Sequence, residues 1–263
     1  MTASTAPSVF DKGESNAANG TALFVAEAGD RIRPPLVLLH GGLQSRRSFA
    51  PLAGHLRDAF RLIAIDTRGH GRSRLGDRGL SYRQLEDDVA TVLEVLGLSD
   101  AALVGHSDGG IVVLRLAASG AARPRFAVTI GAHAGLAEGD PTRDLYRGLT
   151  LEDWYSQFPA DIARYEAENP EPNFSRLFEA TRAMWLGNGD DAYPGERVRQ
   201  IETPLLVIHG DEDFLVSRRH SVELADMVAG SHLLSLPFVS HTAHEEEPGQ
   251  VAASIKAFSA RIG

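Results

Sequence analysis

One serine of this chain lies between a short apolar run and a longer apolar stretch, with a glycine two positions away on either side. The run Ala102–Val104 predicts a buried strand, Gly109–Ala118 predicts a helix, and Gly105-His106-Ser107-Asp108-Gly109 joins them. A serine on so tight a turn has a strained backbone that holds its hydroxyl oxygen above the sheet edge, and the flanking glycines keep the turn free of clashes. We therefore predict that Ser107 is a nucleophile rather than a serine that only caps the helix.

The rest of the chain repeats this alternation of strand and helix. Most predicted strands are continuous apolar runs, which is typical of strands covered on both faces of a sheet. The predicted strands are Ala22–Glu27, Leu36–Leu39, Leu62–Ile65, Ala102–Val104, Phe126–Ile130, Leu205–Ile208 and His232–Leu236. The predicted helices are Ser48–Phe60, Ser81–Leu96, Gly109–Ala118, Arg219–Met227 and Pro248–Ile262. Such repetition predicts an α/β fold with a mostly parallel central sheet and helices on both faces.

The stretch from residue 133 to 198 interrupts the alternation, because it contains helix candidates and no convincing strand. Both tryptophans, Trp154 and Trp185, and four of the five tyrosines fall within it. Between Glu138 and Val198 there are 13 acidic and 6 basic residues, so most of the chain's net charge of −9 lies here. We predict a small helical cap over 133–198, inserted into an α/β core formed by 21–132 and 199–263. Additional core helices are the alternative.

Composition limits the compartment and the partners. Residues 1–20 are rich in small and polar residues, which predicts a flexible tail, and no apolar stretch has signal-peptide or membrane-spanning length. A cytoplasmic protein is expected. The net charge of −9 repels phosphate backbones and anionic lipid, so neither nucleic acid nor a membrane is a predicted partner. The 263 residues include no cysteine, which excludes disulfides, thiolate metal sites and a cysteine nucleophile.

A serine nucleophile needs a base, which is usually a histidine oriented by a carboxylate. Among the ten histidines, two lie in the loop between the last predicted strand and the last helix, His241 and His244. We favour His241 because it comes first after the strand, near the edge that carries Ser107. The acid is expected after the preceding strand, where the sequence reads Gly210-Asp211-Glu212-Asp213. The chain order serine, acid, histidine is that of a nucleophile-elbow hydrolase.

These motifs identify the chain as similar to the α/β-hydrolase superfamily from about Thr21 to its end. The matching blocks are His40-Gly41-Gly42, the Asp66–Ser73 loop, the Gly105–Gly109 elbow, Gly210–Asp213, and Ser240-His241 with Pro248 seven residues later. The resemblance implies that Asp213 is the acid and that His241, rather than His244, is the base. The residue before this histidine is often glycine in the family, whereas here it is Ser240.

The resemblance also implies an oxyanion hole formed by the backbone N–H groups of Gly42 and Asp108. The sequence around Ser107 is similar to the elbow of biphenyl-hydrolase-like enzymes, which cleave amino-acid esters and hold the substrate ammonium with the acid beside the serine. The Asp108 carboxylate is therefore a candidate substrate contact, as are Leu43, Trp154 and Trp185. The alternative for Asp108 is an acid favoured only by the positive end of the helix dipole.

Other chemistries are disfavoured by residue type. Haloalkane dehalogenases and epoxide hydrolases of this fold use an aspartate where this chain has Ser107. The stretch from His241 to Glu245 lacks the histidine spacing of helical zinc motifs, and the sequence has neither a phosphate-binding glycine loop nor a dinucleotide fingerprint. No metal and no cofactor are expected.

The predicted function is cleavage of a small-molecule carboxylic ester through Ser107, His241 and Asp213, with an acyl-enzyme intermediate. The resemblance of the elbow adds the expectation of a preference for amino-acid esters. Because one fold supports many functions, alternatives remain open on the same site. These are lactone, amide, thioester or carbon–carbon bond hydrolysis and cofactor-free perhydrolysis. A hydrolase-like receptor, which binds a ligand and recruits a partner, is the alternative from another class.

Overall fold

Eight strands form one sheet in the computed structural model, which describes residues 8–98 and 100–262. Their order across the sheet is β1-β2-β4-β3-β5-β6-β7-β8. The strands are β1 (Gly13–Ala18), β2 (Thr21–Ala28), β3 (Pro35–Leu39), β4 (Arg61–Ile65), β5 (Ala102–His106), β6 (Ala127–Ile130), β7 (Leu205–Gly210) and β8 (His232–Leu236).

Helices cover both faces of this sheet, as predicted. They are α1 (Ala50–Leu56), α2 (Tyr82–Val95), α3 (Asp108–Ser119), α4 (Pro141–Gly148), α5 (Leu151–Gln157), α6 (Pro159–Glu168), α7 (Phe174–Trp185), α8 (Arg218–Met227), α9 (Ala243–Glu246) and α10 (Pro248–Ile262), with short 3-10 helices at Arg46–Phe49 and Gly195–Gln200. Along β3, Val37 and Leu39 pack in a core with α2, α3 and α8. Leu36 and Leu38 pack on the opposite face with α1 and α10. This alternation follows from the two-residue repeat of a strand.

The strands from β3 onward run parallel, with β4 beside β3 at one end and β8 at the other. Among the strands described, the antiparallel pairings are those of β1 with β2 and of β2 with β4. The carboxyl ends of β3, β5, β7 and β8 therefore meet at one edge of the sheet. That edge is where an open α/β sheet binds its ligand.

The prediction of a flexible tail over residues 1–20 is wrong for the part that the structure describes. Gly13–Ala18 forms β1 and pairs with β2, and Phe10 is fully buried in the core beside α1 and α10. The error has a physical reason: β1 is an edge strand that is exposed over most of its length, so it needs few apolar residues. Residues 1–7 of the expected tail lie outside the described residues.

The segment between β6 and β7 contains α4 to α7 and the second 3-10 helix, and no strand among its residues, all of which are described. The sequence indicated this helical content, and its role as a cap remains a prediction. The helix expected over Ser48–Phe60 is shorter and begins with a 3-10 turn. None of the helices in residues 8–98 and 100–262 has the length and apolar character required to cross a bilayer.

Candidate active site

Ser107 occupies the turn between β5 and α3. Its backbone has φ 50° and ψ −117°, a conformation that a residue with a side chain adopts only at an energetic cost. The Ser107 N–H donates to the carbonyl oxygen of Ile130 at 2.9 Å, which ties the turn to the neighbouring strand β6. The strained serine at the carboxyl end of a strand is the geometry expected for a nucleophile elbow.

The glycines around Ser107 are required by backbone packing. A Cβ atom on Gly105 would collide with the backbone of Gly109, and a Cβ atom on Gly109 would collide with the carbonyl of Leu39 at the end of β3. A Cβ atom on Gly110 would lie 2.6 Å from the side chain of Ala132. Only glycine therefore lets α3 begin this close to the sheet.

Asp213 and His241 form a hydrogen-bonded pair at the same edge. The His241 Nδ1–H donates to Asp213 Oδ2 at 2.8 Å, while Asp213 Oδ1 accepts the backbone N–H groups of Leu215 and Val216, both at 2.8 Å. The Asp213 side chain is fully buried. Although burial alone raises its pKa, the hydrogen bond and the charge of His241, together with the two backbone donors, hold the pKa below its ordinary value of 3.8. Asp213 is thus a carboxylate that fixes the His241 tautomer.

His241 lies beside the two neighbours of Ser107. The rings of His106 and His241 are 4.8 Å apart between centroids, and the nearby His241 also acts to lower the pKa of the Asp108 carboxyl. Among the hydrogen bonds of the described residues, none joins Ser107 Oγ to His241. Hydrogen bonds between a nucleophile and its base are often long without substrate and tighten in the complex, so the arrangement is compatible with proton transfer.

The second histidine of this loop has different surroundings. His244 is completely buried, and its ring lies 4.8 Å from that of Phe49 and 4.4 Å from that of His106. Burial, with a further contribution from nearby His241, lowers the pKa of His244 to about 3, so it is neutral. The structure thus brings His241 rather than His244 to Asp213. The other acids of the turn, Asp211 and Glu212, are exposed.

Gly42 and Asp108 lie next to each other, as an oxyanion hole requires. Gly42 follows β3 and Asp108 opens α3, and the Gly109 N–H donates to the His40 carbonyl at 3.1 Å, which joins the two segments. His40 supports the loop: its Nδ1–H donates to the Gly41 carbonyl at 2.7 Å, and its Nε2 accepts the Thr67 N–H at 3.0 Å. Burial lowers the pKa of His40 to about 4, so it is neutral and structural.

The Asp108 carboxylate is buried above Gly42 and is 5% exposed. Its Oδ1 accepts the hydroxyl of Tyr82 at 2.7 Å, and both oxygens lie 2.9 Å from Trp185 Nε1. Burial raises the pKa of Asp108 above its ordinary value of 3.8 in spite of these donors and the nearby His241. No ion pair within residues 8–98 and 100–262 includes Asp108, so neutral groups alone donate hydrogen bonds to it in that part of the chain.

The other residues predicted to contact substrate lie in two different places in the structure. Trp185 lies at Gly42 and Asp108, stacked on Tyr146 with ring centroids 4.8 Å apart. Trp154 instead packs against Phe158 and Phe178, in a small cluster that also includes Leu43. Leu43 itself adopts φ 58° directly after Gly42 and reaches both this cluster and the main core.

Tyr82 and Tyr146 were not predicted as site residues. Tyr82 is the first residue of α2, and Tyr146 belongs to α4. Neither lies in a local motif, and both contacts depend on how distant elements meet. An aromatic residue at a helix start gives no signal that its hydroxyl reaches a carboxylate 26 positions away.

A family comparison agrees with this geometry. The model of the alpha/beta hydrolase family matches residues 36–254, which run from the second residue of β3 past the end of β8 and include every residue of the candidate site. The chain belongs to the alpha/beta hydrolase family. The prediction of the superfamily and of its fold is confirmed.

Relatives of this alpha/beta hydrolase include several kinds of enzyme. The chain is 32% identical over 252 residues to a non-heme haloperoxidase of Rhodococcus erythropolis, covering 86% of this chain and 91% of the relative. It is 29% identical over 271 residues to a bifunctional esterase/perhydrolase of Acinetobacter calcoaceticus, covering 91% and 96%. The crystal structure of an enol-lactonase from Burkholderia xenovorans LB400 superposes with a TM-score of 0.75 at 24% identity, covering 93% of this chain and 99% of that one. The last likeness concerns the fold alone.

Proposed function

We propose that this alpha/beta hydrolase cleaves small carboxylic esters with Ser107 as nucleophile, His241 as general base and Asp213 as its orienting acid. The observation that carries the proposal is the strained Ser107 turn beside the Asp213–His241 pair, which is hydrogen-bonded at 2.8 Å. The similarity to an esterase/perhydrolase over nearly the full length of both chains supports ester chemistry.

The reaction begins when His241 Nε2 takes the proton of Ser107 and Ser107 Oγ attacks the ester carbonyl carbon. The backbone N–H groups of Gly42 and Asp108 donate to the resulting oxyanion. His241 returns the proton to the departing alcohol, and an acyl group remains on Ser107. Water then attacks this acyl group with the same base, and the acid product leaves as Ser107 regains its proton.

The direct test is hydrolysis of p-nitrophenyl acetate by Ser107→Ala. We expect kcat to fall by about 10⁴-fold or more, because removal of the nucleophile of a triad leaves only binding and oxyanion stabilisation. Ser119→Ala, at the opposite end of α3, is the matched control and keeps wild-type activity. An active Ser107→Ala protein with an intact circular dichroism spectrum would refute the assignment.

We further propose that amino-acid esters are preferred. A buried carboxylate is costly unless a cation compensates its charge, and the hydrogen bonds to Asp108 come from the neutral Tyr82 and Trp185. A substrate ammonium bound beside Gly42 would supply the positive charge. The acidic segment between Glu138 and Val198 supports the same preference, because its field attracts cationic substrates.

A matched pair of substrates tests this preference on the wild-type protein. An amino-acid p-nitrophenyl ester and its analogue with hydrogen in place of the amino group differ only in the ammonium. We expect kcat/KM to be about tenfold or more higher for the amino ester, since a charge-assisted hydrogen bond contributes roughly 1.5–3 kcal/mol. Equal values would exclude an ammonium site while leaving ester hydrolysis intact.

Perhydrolysis is a second candidate, favoured by the similarity to the esterase/perhydrolase and the haloperoxidase. In this reaction hydrogen peroxide, rather than water, attacks the acyl group on Ser107. The acyl–oxygen bond to Ser107 breaks, the serine regains a proton from His241, and a peracid leaves. The test measures peracid formed from methyl acetate and hydrogen peroxide. Peracid at the background level of Ser107→Ala would exclude this activity.

A further inference from the structure

A chain of polar side chains lies behind His241 and takes no part in the mechanism above. The ring of His106 contacts the backbone carbonyl of His241 through Nε2 at 3.0 Å and the side-chain amide of Gln44 through Nδ1 at 3.0 Å. The other end of the Gln44 amide is 3.1 Å from Glu245 Oε1. Three polar contacts thus connect a carboxylate near the surface to the backbone of the proposed base.

Tight packing beside Gly41 holds His106 and Gln44 in contact. His106 is 1% exposed. A Cβ atom on Gly41 would lie 2.8 Å from His106 Nδ1 and 2.9 Å from Gln44 Oε1. Any side chain at Gly41 would therefore separate His106 from Gln44, so the glycine of the His40–Gly42 motif is needed for the contact as well as for the oxyanion loop.

When Glu245 is ionised, the three contacts between Glu245, Gln44, His106 and the His241 carbonyl share one proton too few, so one of them joins two acceptors. The Gln44 amide then donates its N–H to Glu245, and its oxygen accepts the Nδ1–H of His106, as in the structure. A neutral histidine has one N–H, so His106 Nε2 carries no proton and faces the His241 carbonyl, which is also an acceptor. Burial keeps the pKa of His106 well below its ordinary value, so a second proton is not available.

When Glu245 is protonated, all three contacts can be hydrogen bonds, with the donor and acceptor of each contact exchanged. Glu245 then donates to the Gln44 oxygen, and the amide, rotated by half a turn, donates its N–H to His106 Nδ1. The His106 proton moves to Nε2 and is donated to the His241 carbonyl. Each of the three contacts now joins one donor to one acceptor, and the backbone that carries the proposed base is held by one more hydrogen bond.

We infer that Glu245, Gln44 and His106 form a relay that positions His241 and that strengthens its support when Glu245 is protonated. Glu245, Gln44 and His106 are positioning residues, because they act through the His241 backbone and not on substrate. The inference rests on the proposed function, since it concerns the base of that reaction.

The surroundings of Glu245 raise the pKa of its carboxyl to about 7. The titratable groups that face it are Asp161 from α6 and its neighbours His244 and Glu246 in α9, with His244 Nε2 at 3.7 Å. Partial burial, together with the charges of Asp161 and Glu246, raises the pKa of Glu245 to about 7 although Gln44 donates to it. His244, which is neutral, adds no opposing positive charge.

The other titratable groups around His106 do not link its ring to Glu245 by hydrogen bonds. The titratable residues facing its ring are His40, His241 and His244. His40 is occupied by Gly41 and Thr67, and neither nitrogen of His244 has a hydrogen-bond partner in the part of the chain that the structure describes. Gln44 is thus the side chain through which a charge change at Glu245 reaches His106.

The experiment follows kcat for p-nitrophenyl acetate on both sides of about pH 7. In the wild type, kcat falls on the alkaline side by about three- to tenfold, the effect of losing one hydrogen bond. Glu245→Gln keeps a permanent N–H donor toward Gln44, so its kcat stays at the acid-side level and exceeds that of the wild type under alkaline conditions. In Gln44→Leu the His241 carbonyl is the remaining acceptor for the single N–H of His106, so kcat stays at the acid-side level and shows no alkaline fall.

Two further measurements separate the relay from a change of local charge. In the Gln44→Leu background, Glu245→Gln has no effect, because the connection is already broken. Glu247→Gln removes a carboxylate that accepts from Gln250 in the same region and keeps the wild-type profile. An alkaline fall in Glu245→Gln equal to that of the wild type, or a Glu247→Gln profile that matches Glu245→Gln, would overturn the inference.

A readout that needs no activity distinguishes this inference from the proposed function. NMR spectra of protein with isotope-labelled histidine report which ring nitrogen of His106 carries the proton. We expect Nε2–H below about pH 7, Nδ1–H above it, and Nε2–H at both in Glu245→Gln. An unchanged His106 tautomer would refute the relay, whereas a fully active Ser107→Ala protein would refute only the reaction assigned to Ser107.

Discussion

Asp66 and Asp108 are two buried carboxylates that follow strands on either side of β3, and their hydrogen-bond donors differ in charge. Asp66 follows β4 and forms an ion pair with the fully buried Arg46. It also accepts the backbone N–H groups of Arg46 and Arg72, both at 2.8 Å. Asp108 follows β5 at the elbow, and its hydrogen bonds come from the hydroxyl of Tyr82 and the indole of Trp185.

The proposed ammonium site at Asp108 depends on this difference. A carboxylate with a guanidinium and two backbone donors has its charge balanced within the fold. A carboxylate that accepts hydrogen bonds only from neutral groups has no opposite charge beside it, so it still attracts a cation. Burial by itself does not distinguish the two acids, and the absence of an opposite charge beside the proposed oxyanion hole is what makes Asp108 the candidate.

The largest effect is expected from Arg46→Met. The variant leaves the Asp66 carboxylate buried without its cation, so the free energy of unfolding should fall by about 3–5 kcal/mol. Urea unfolding followed by circular dichroism measures the change. The double variant Arg46→Met/Asp66→Asn is the control and should recover much of the loss. A single variant as stable as the wild type would show that the ion pair does not explain Asp66.

The next effect is a change of specificity in Asp108→Asn. We expect the preference for an amino ester over its matched uncharged analogue to fall by about tenfold to a hundredfold, because the amide has no charge to offer an ammonium group. Stability should change little, since the amide oxygen can still accept from Tyr82 and Trp185. Equal losses of kcat/KM for both substrates would contradict the contrast between the two aspartates.

A smaller effect is expected from Tyr82→Phe, which removes the hydroxyl that donates to Asp108 at 2.7 Å. The free energy of unfolding should fall by about 1.5 kcal/mol, the lower end for a hydrogen bond to a charged group, because Trp185 still donates. Tyr155→Phe, on an exposed tyrosine, serves as the control. If Asp108→Asn is made first, the cost of Tyr82→Phe should decrease, and an unchanged cost would argue against the interaction.

The smallest effect is the pH dependence of stability. Since burial raises the pKa of Asp108 above 3.8, the folded state binds this proton more tightly than the unfolded state. The resulting stabilisation is present below about pH 3.8 and is lost as the pH rises through the folded-state pKa. Asp108→Asn lacks the group, so its stability relative to the wild type should increase over this range. Urea midpoints at several acidic pH values test the sign, and an opposite slope would mean that the Asp108 pKa is lowered.

Much of the fold could be predicted because parallel strands leave a strong local signal. Seven strands were expected within two residues of their observed bounds, since most of them are apolar runs that end in glycine or polar residues. The β1 strand was missed because an exposed edge strand lacks such a run. The local signal for β1 is Asn19-Gly20, a dipeptide typical of two-residue hairpin turns, which joins this strand to β2.

The nucleophile could be predicted because the residues that shape its turn follow one another in a single loop. Ser107 and its glycines are adjacent in the sequence, and the order of Ser107, Asp213 and His241 along the chain limited the choice. Tyr82 and the Glu245–Gln44 contact could not be predicted in this way. Each joins side chains from separate elements, and Gln44 and Glu245 are 201 positions apart.

Ser107 and Leu43 both hold backbone angles that glycine would adopt more readily. Each side chain remains at the sheet edge at a cost of about 1–3 kcal/mol to the folded state. A glycine in place of Ser107 would relieve this strain and remove the hydroxyl on which the proposed reaction depends. At this bend, the proposed reaction therefore sets a limit on how stable the fold can become.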